Sequence, residues 1–123
     1  MSKRIFVVED DADLSEAIQL MLREEGYDTR GTLHKSSIKG IILYEPNLVL
    51  IDNRLMDGLG SELCVALKNH PLTSHIPVIL ISGWTDLAAI AEECGADAYL
   101  NKPFEMSQLI ETVDKHIRPY VKL

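Results

Sequence analysis

The sequence predicts an α/β fold in which five parallel strands form one sheet with helices on both of its faces. The first observation is a series of short apolar runs, which are typical of buried strands. The second is that the segments between these runs repeat apolar residues at the i, i+3, i+4 spacing of a helix. Strands that alternate with helices in this way predict a parallel sheet.

The predicted elements alternate along the whole chain. The first strand, 5–8, is followed by a helix, 13–25, whose apolar residues keep helical spacing until Gly26. The elements that follow, in chain order, are strand 27–30, helix 35–43, strand 48–51, helix 59–67, strand 78–81, the alanine-rich helix 85–94, strand 98–101 and helix 106–117, which precedes Pro119.

Strand composition also predicts the order of the strands. Runs 5–8, 48–51 and 78–81 are continuously apolar, as expected of parallel strands covered on both faces. Strand 27–30 alternates and strand 98–101 is short and mixed, so we assign both to the edges. The order 2-1-3-4-5 satisfies these assignments and gives a flavodoxin-like, doubly wound sheet with a crevice between the first and third strands.

Composition and charge limit the classes of function. A chain of 123 residues, 46% of them hydrophobic, fits one domain (1–123) without an output domain, and no apolar stretch is long enough to cross a membrane. We therefore expect a cytoplasmic protein.

The cysteines and the charge exclude further classes of site. Cys64 and Cys94 lack CxxC spacing and are predicted to be reduced packing residues. Because the net charge is −7 and Lys and Arg are scattered, we expect no direct binding to nucleic acid. The lack of a long apolar stretch also predicts no membrane partner.

Polar side chains follow four of the predicted strands. Glu9 and Asp10 follow the first strand and Asp52 the third, while Ser82 and Lys102 follow the fourth and fifth. The carboxyl ends of parallel strands share an edge, so these side chains should meet there. Like charges about 4 Å apart repel by about 4 kcal/mol at an effective dielectric constant of about 20. Either one carboxyl is protonated or a cation lies between them, and an all-oxygen site suits Mg²⁺, with Mn²⁺ as a substitute.

A cation at this edge would allow phosphoryl chemistry. Asp52 lies centrally enough to act as the nucleophile once a metal neutralises the incoming oxygens. Lys102 would add a positive charge, and the Ser82 hydroxyl could donate to a phosphoryl oxygen. Structural roles are expected beside these: Asp11 as a helix cap, and Lys102 as an ion-pair partner of Asp52, followed by Pro103, which permits a cis peptide bond.

Five short motifs, in this order and spacing, resemble the receiver domain of two-component response regulators. They are Val7-Val8-Glu9-Asp10-Asp11, Asp52 with Gly60 eight residues on, Ile81-Ser82-Gly83, Gly95-Ala96-Asp97-Ala98-Tyr99 and Asn101-Lys102-Pro103-Phe104. The resemblance covers nearly the whole chain. It implies a magnesium-dependent signalling switch in which Asp52 accepts a phosphoryl group from a histidine kinase or a phosphotransfer protein.

The resemblance also assigns roles to individual residues. Glu9, Asp10, Asp52 and the backbone carbonyl of Arg54 would arrange the magnesium ion and its waters. Ser82 and Tyr99 would move together as the switch. Input contacts would involve Leu14, Ala17 and Ile18 on the first helix, together with the Pro103-Phe104 loop, although the sequence assigns these apolar residues equally well to the core. Because the fourth helix is alanine-rich and buries little bulk, we expect the change on the surface of helix 4, strand 5 and helix 5. An unidentified downstream protein would bind there, and the same surface could support a phosphorylation-dependent dimer.

Two residues depart from the family pattern. Met56 stands where proline is usual, which loosens a loop without touching the charges. Trp84 lies two residues beyond Ser82, and we hypothesise that its bulk, with Arg54, impedes the water that hydrolyses the acyl phosphate; the alternative is that Trp84 only caps the fourth helix.

Other classes of protein fit the sequence less well. An independent phosphohydrolase is disfavoured because no second Asp stands two residues after Asp52, so we do not expect an enzyme beyond its own phosphorylation and slow dephosphorylation. A flavin or nucleotide binder is disfavoured because Glu9-Asp10-Asp11 would repel a phosphate. A receiver-like module that binds proteins without being phosphorylated stays open as the main alternative.

Overall fold

Strands and helices alternate along the chain as the sequence predicts. The computed structural model describes residues 2–33, 38–55, 58–83 and 86–117. The elements in chain order are β1 (Arg4–Val8), α1 (Ala12–Glu24), β2 (Asp28–Thr32), α2 (Ile38–Tyr44), β3 (Leu48–Asp52), β4 (Arg54–Leu55), β5 (Gly58–Leu59), α3 (Gly60–Lys68), β6 (Val78–Ser82), α4 (Leu87–Cys94), β7 (Ala98–Asn101) and α5 (Met106–His116).

Five of the strands form one parallel sheet in the order β2-β1-β3-β6-β7. Counted along the chain without the two-residue strands, this is the predicted order 2-1-3-4-5, so the predicted fold class is confirmed. The antiparallel pair of β4 and β5 was not predicted. It lies directly after β3 and therefore shapes the loop beside Asp52.

The sheet separates two hydrophobic clusters, because successive strand residues point to opposite faces. Phe6, Val8 and Ile51 pack with residues of α2, α3 and α4 on one face. Ile5 and Val7, which alternate with them along β1, pack with residues of α1 and α5 on the other. The helices thus cover both faces, and the central strands β3 and β6 are buried along their whole length. The edge strands β2 and β7 are partly exposed, as their composition indicates.

Local signals fix several helix ends. The Asp11 side chain accepts hydrogen bonds from the backbone N–H groups of Asp13 and Leu14, which confirms it as the N-cap of α1. A glycine ends α4: its C-cap, Gly95, takes a left-handed conformation with φ of 81°, which glycine adopts without a steric penalty. The predicted starts of helices 35–43 and 85–94 lie partly outside the described residues.

Both cysteines are packing residues, as predicted. Cys64 and Cys94 are free and buried, and the Cys64 thiol donates a hydrogen bond to the backbone oxygen of Cys94 at 3.3 Å. Burial raises the pKa of the Cys64 thiol, so it stays protonated at neutral pH. Within the described ranges, no helix is long and apolar enough to cross a membrane.

Candidate functional site

Three carboxylates meet at the carboxyl edge of the sheet. Asp52 ends β3 and Glu9 directly follows β1, and the two strands are neighbours with Val8 paired to Ile51. Glu9, Asp10 and Asp52 each offer an oxygen, and all of these atoms lie within 4.8 Å of one another. Glu9 is 2% exposed and Asp52 is 5% exposed, so water screens their charges poorly. The predicted convergence of the acids is confirmed.

Lys102 links two of these acids. It directly follows β7, and its ammonium donates to Glu9 Oε1 at 3.1 Å and to Asp52 Oδ2 at 2.9 Å. Burial alone would lower the pKa of Lys102, but the hydrogen bonds to Asp52 and Glu9 outweigh burial and raise it. The predicted ion pair with Asp52 is confirmed, and the peptide bond to Pro103 is cis.

One ammonium does not offset the charge of three acids. Burial is the main cause that raises the pKa of Glu9 to about 7, and the adjacent Asp52 carboxylate adds to this effect. The Asp11 N–H, which donates to Glu9 Oε2 at 3.2 Å, and Lys102 oppose the shift only in part. The metal-free pocket therefore holds a proton on Glu9 for much of the time at neutral pH.

Hydrogen bonds fix the backbone after Asp52 to both β6 and the start of α3. Asn53 N–H donates to Ile81 O on β6, and the Asn53 carbonyl accepts from Gly60 N–H at the start of α3, each at 2.9 Å. The Arg54 N–H donates to Asp52 Oδ1 at 3.0 Å. Asn53 was not singled out in the sequence, because asparagine is common after strands and only the fold shows how many bonds it makes.

Gly60 brings α3 against the end of β3. A Cβ atom at this position would lie 2.2 Å from the backbone oxygen of Asp52 and 2.5 Å from Ile51 Cγ2. Any other residue would therefore push the helix away from the strand that carries Asp52. This contact gives a physical reason for the glycine eight residues after Asp52.

The two predicted switch residues lie in different environments. Ser82 ends β6 at the same edge of the sheet as the acids and is fully buried. Tyr99 lies on β7, where it pairs with Leu80, and its side chain is 43% exposed. It lines a groove of about 750 Å³ between α4 and α5. Their joint movement stays a prediction, and Met56 and Trp84 lie outside the described residues.

The predicted input surface is only partly available for contact. Ile18 is fully buried in the cluster beneath α1, so it belongs to the core. Leu14 and Phe104 are partly buried and pack against the same cluster. Ala17 is also partly buried, so residues at the rim of α1, and not Ile18, could meet a partner.

The donor set fits a hard divalent cation. Carboxylate oxygens are the ligands that Mg²⁺ and Mn²⁺ prefer, and three of them close together repel one another unless a cation or a proton intervenes. Glu9, Asp10 and Asp52 are the residues that could hold it. The Arg54 carbonyl, which follows Asp52 by two residues, stays a predicted fourth ligand.

The doubly wound α/β sheet carries an acidic pocket at its carboxyl edge, and Lys102 bridges two of the acids. This is a fold and site of the class found in receiver domains, which are signalling modules. A family model for the response regulator receiver domain matches residues 5–114. The chain belongs to this family.

Individual relatives agree with this membership. The DNA-binding response regulator MtrA from Mycolicibacterium paratuberculosis is 34% identical over 124 residues, covering 96% of this chain and 52% of MtrA. A CheY-like receiver domain protein from Methanospirillum hungatei is 30% identical with a TM-score of 0.82, covering 94% of this chain and 93% of that chain. A third similar structure is the receiver domain of a Pseudomonas aeruginosa sensor histidine kinase, which was solved with magnesium coordinated in its active site cleft. It has a TM-score of 0.83 and covers 94% of this chain and 98% of that chain. At 22% identity, this likeness shows the fold alone.

One prediction about partners is wrong. The net charge and the scattered basic residues predict no binding to nucleic acid, but curated relatives such as MtrA are DNA-binding response regulators. The chain spans about half the length of the curated relatives it matches. The charge of −7 belongs to these 123 residues only, so it does not bear on what the other half of such a relative binds.

Proposed function

We propose that this chain is a cytoplasmic phosphoacceptor switch, a receiver domain in which Asp52 accepts a phosphoryl group from a histidine kinase or a phosphotransfer protein. The observation that carries the proposal is the position of Asp52. Its carboxylate lies between the Lys102 ammonium, at 2.9 Å, and the acids Glu9 and Asp10. A simple structural ion pair does not need two further acids at the same point.

The residues around Asp52 have distinct roles in this proposal. Asp52 supplies the attacking oxygen, and its second oxygen is already fixed by the Arg54 N–H. Lys102 offers positive charge to the incoming phosphoryl oxygens, and Ser82 can donate a hydrogen bond. A Mg²⁺ ion held by Glu9, Asp10, Asp52 and the Arg54 carbonyl would neutralise phosphoryl charge during transfer. Burial keeps competing water away from the carboxylate.

Phosphorylation would change the contacts that hold the pocket in its present form. A phosphoryl group adds about one to two negative charges at neutral pH and would compete with Glu9 for Lys102. Ser82, which ends β6, would be drawn toward the new group. Tyr99, now exposed in the groove beside α4, could then take a different position. The surface formed by α4, β7 and α5 would change and regulate a downstream partner.

Incubation with Mg²⁺ and acetyl phosphate tests the proposal directly. We expect intact-mass measurement to show one added phosphoryl group on the wild-type protein, and none with the Asp52→Asn variant or with a chelator. The Asp13→Asn variant is the matched control, because Asp13 is an exposed acid of the first turn of α1. An unchanged mass under every condition would favour the alternative of a module that binds proteins without being phosphorylated.

Hydrogen exchange tests where the change occurs. After phosphorylation we expect altered exchange in Leu87–Cys94, Ala98–Asn101 and Met106–His116, with the largest change in α4, because this helix buries only Leu87, Ala91 and Cys94. The Asp52→Asn protein treated in the same way should show no change. Altered exchange confined to α2 would contradict the proposed output surface.

A further inference from the structure

A second concave feature lies between α3 and α4, away from the acidic pocket. It is a cleft of about 400 Å³ whose walls include Leu59 and Val65 on one side and Ile90 and Glu93 on the other. Both Leu59 and Val65 line this cleft and are open to solvent, at 37% and 43% exposed. Asn53, the residue after Asp52, lines the same cleft.

Asn53 has a hydrogen-bond donor without a partner. The Asn53 side-chain oxygen Oδ1 accepts a hydrogen bond from the Ser61 N–H at 2.9 Å, so only the side-chain nitrogen Nδ2 lacks a partner among the described residues. The residue is fully buried, and Nδ2 is a buried donor without a hydrogen-bond partner in the part of the chain that is described. A buried donor left in this state is costly, so an acceptor that reached it would be bound favourably.

The charge of the cleft restricts what could supply this acceptor. Glu93 lines the cleft, is exposed and forms no ion pair with any described residue. An anionic acceptor would be repelled by this carboxylate. A neutral carbonyl oxygen is the acceptor that fits, accompanied by a cation beside Glu93. The open apolar wall would meanwhile cover an aliphatic side chain.

We propose that this cleft binds a short basic segment of a partner protein. A backbone carbonyl of the segment accepts from Asn53 Nδ2, an aliphatic side chain lies against Leu59 and Val65, and a lysine or arginine side chain pairs with Glu93. The cleft is an open groove, which suits a peptide better than a small metabolite, since metabolite sites enclose most of their ligand.

Binding in the cleft would be coupled to the position of α4. Because Nδ2 has no exposed surface, the segment must part α3 and α4 to reach it. The same Asn53 is bonded through its N–H to Ile81, next to Ser82. An occupant would therefore influence the edge of the sheet that carries Asp52, and the influence would be reciprocal. This inference goes beyond the phosphoacceptor proposal and does not depend on it.

The test uses the metal-free, unphosphorylated full chain labelled with ¹⁵N. The probe is a blocked dipeptide of leucine and lysine, and the comparison probes replace lysine by norleucine or by glutamate. We expect saturable shifts of the Asn53 side-chain NH₂ signal and of α3 and α4 signals with the lysine probe, at a dissociation constant on the order of 1 mM. The norleucine probe should bind about two- to fivefold more weakly, and the glutamate probe more weakly still.

Charge reversal distinguishes this cleft from unspecific attraction to an acidic protein. The Glu93→Lys variant should lose its preference for the lysine probe and favour the glutamate probe. The matched Glu92→Lys variant, which changes the neighbouring exposed residue by the same charge, should keep the wild-type order of affinities. Shifts that do not saturate, or an equal effect of the two variants, would overturn the proposal. Since no metal or phosphodonor is present, that result would leave the function proposed for Asp52 unaffected.

Discussion

Replacing Gly60 with alanine should destabilise the protein by about 3 kcal/mol and impair phosphorylation of Asp52. The new Cβ would lie 2.2 Å from the backbone oxygen of Asp52, far inside van der Waals contact. That oxygen cannot move away easily, because β3 is buried along its length and Asn53 is bonded to both Ile81 and Gly60. Either α3 separates from the sheet or the end of β3 shifts, and both displace the proposed acceptor.

Urea unfolding followed by circular dichroism measures this effect, with Gly40→Ala as the control. A Cβ on Gly40 would lie 3.6 Å from Phe6 Cζ, an ordinary contact, and Gly40 is within α2, where alanine is favoured over glycine by about 1 kcal/mol. We expect Gly40→Ala to be neutral or stabilising. A Gly60→Ala protein as stable as the wild type would show that α3 is not held against Asp52 as described.

Much of the fold follows from the apolar pattern. Strands β1, β3 and β6 are covered on both faces, so their sequences are continuously apolar and their central position could be inferred. The bounds of β2 were less accurate, because Asp28–Thr32 contains no apolar side chain and is placed only by its pairing with β1. The pair of β4 and β5 has two residues in each strand, too few for any periodicity to show.

The sequence predicts which residues form the site, but it does not predict their hydrogen bonds or their pKa values. The convergence of Glu9, Asp10 and Asp52 follows from the rule that parallel strands share a carboxyl edge. The sequence could not show that Lys102 contacts two acids at once, nor that burial raises the pKa of Glu9 to about 7. These properties depend on distances and on solvent exclusion, which no local pattern encodes.

Removing the charge of the third acid, Asp10, should stabilise the protein without metal and destabilise it relative to the wild type with metal. Among the described residues Asp10 forms no ion pair, while its carboxylate lies within 4.8 Å of Glu9 and Asp52 oxygens. In the metal-free protein it therefore contributes repulsion that Lys102 does not offset. The Asp10→Asn variant should be more stable than the wild type without Mg²⁺, by on the order of 1 kcal/mol after allowing for partial exposure and the proton on Glu9.

With Mg²⁺ the order should reverse, because the cation converts the same carboxylate from a source of repulsion into a ligand. At a Mg²⁺ concentration about 100-fold above its dissociation constant, the wild type gains about 2.7 kcal/mol. Asp10→Asn should bind the ion at least about tenfold more weakly and gain much less. Thermal unfolding with chelator and then with increasing Mg²⁺ measures both effects. Glu16→Gln, which removes one exposed acid on α1, should follow the wild type throughout. If Asp10→Asn and the wild type respond equally to Mg²⁺, Asp10 is not a ligand and the acidic pocket does not hold the ion in the proposed way.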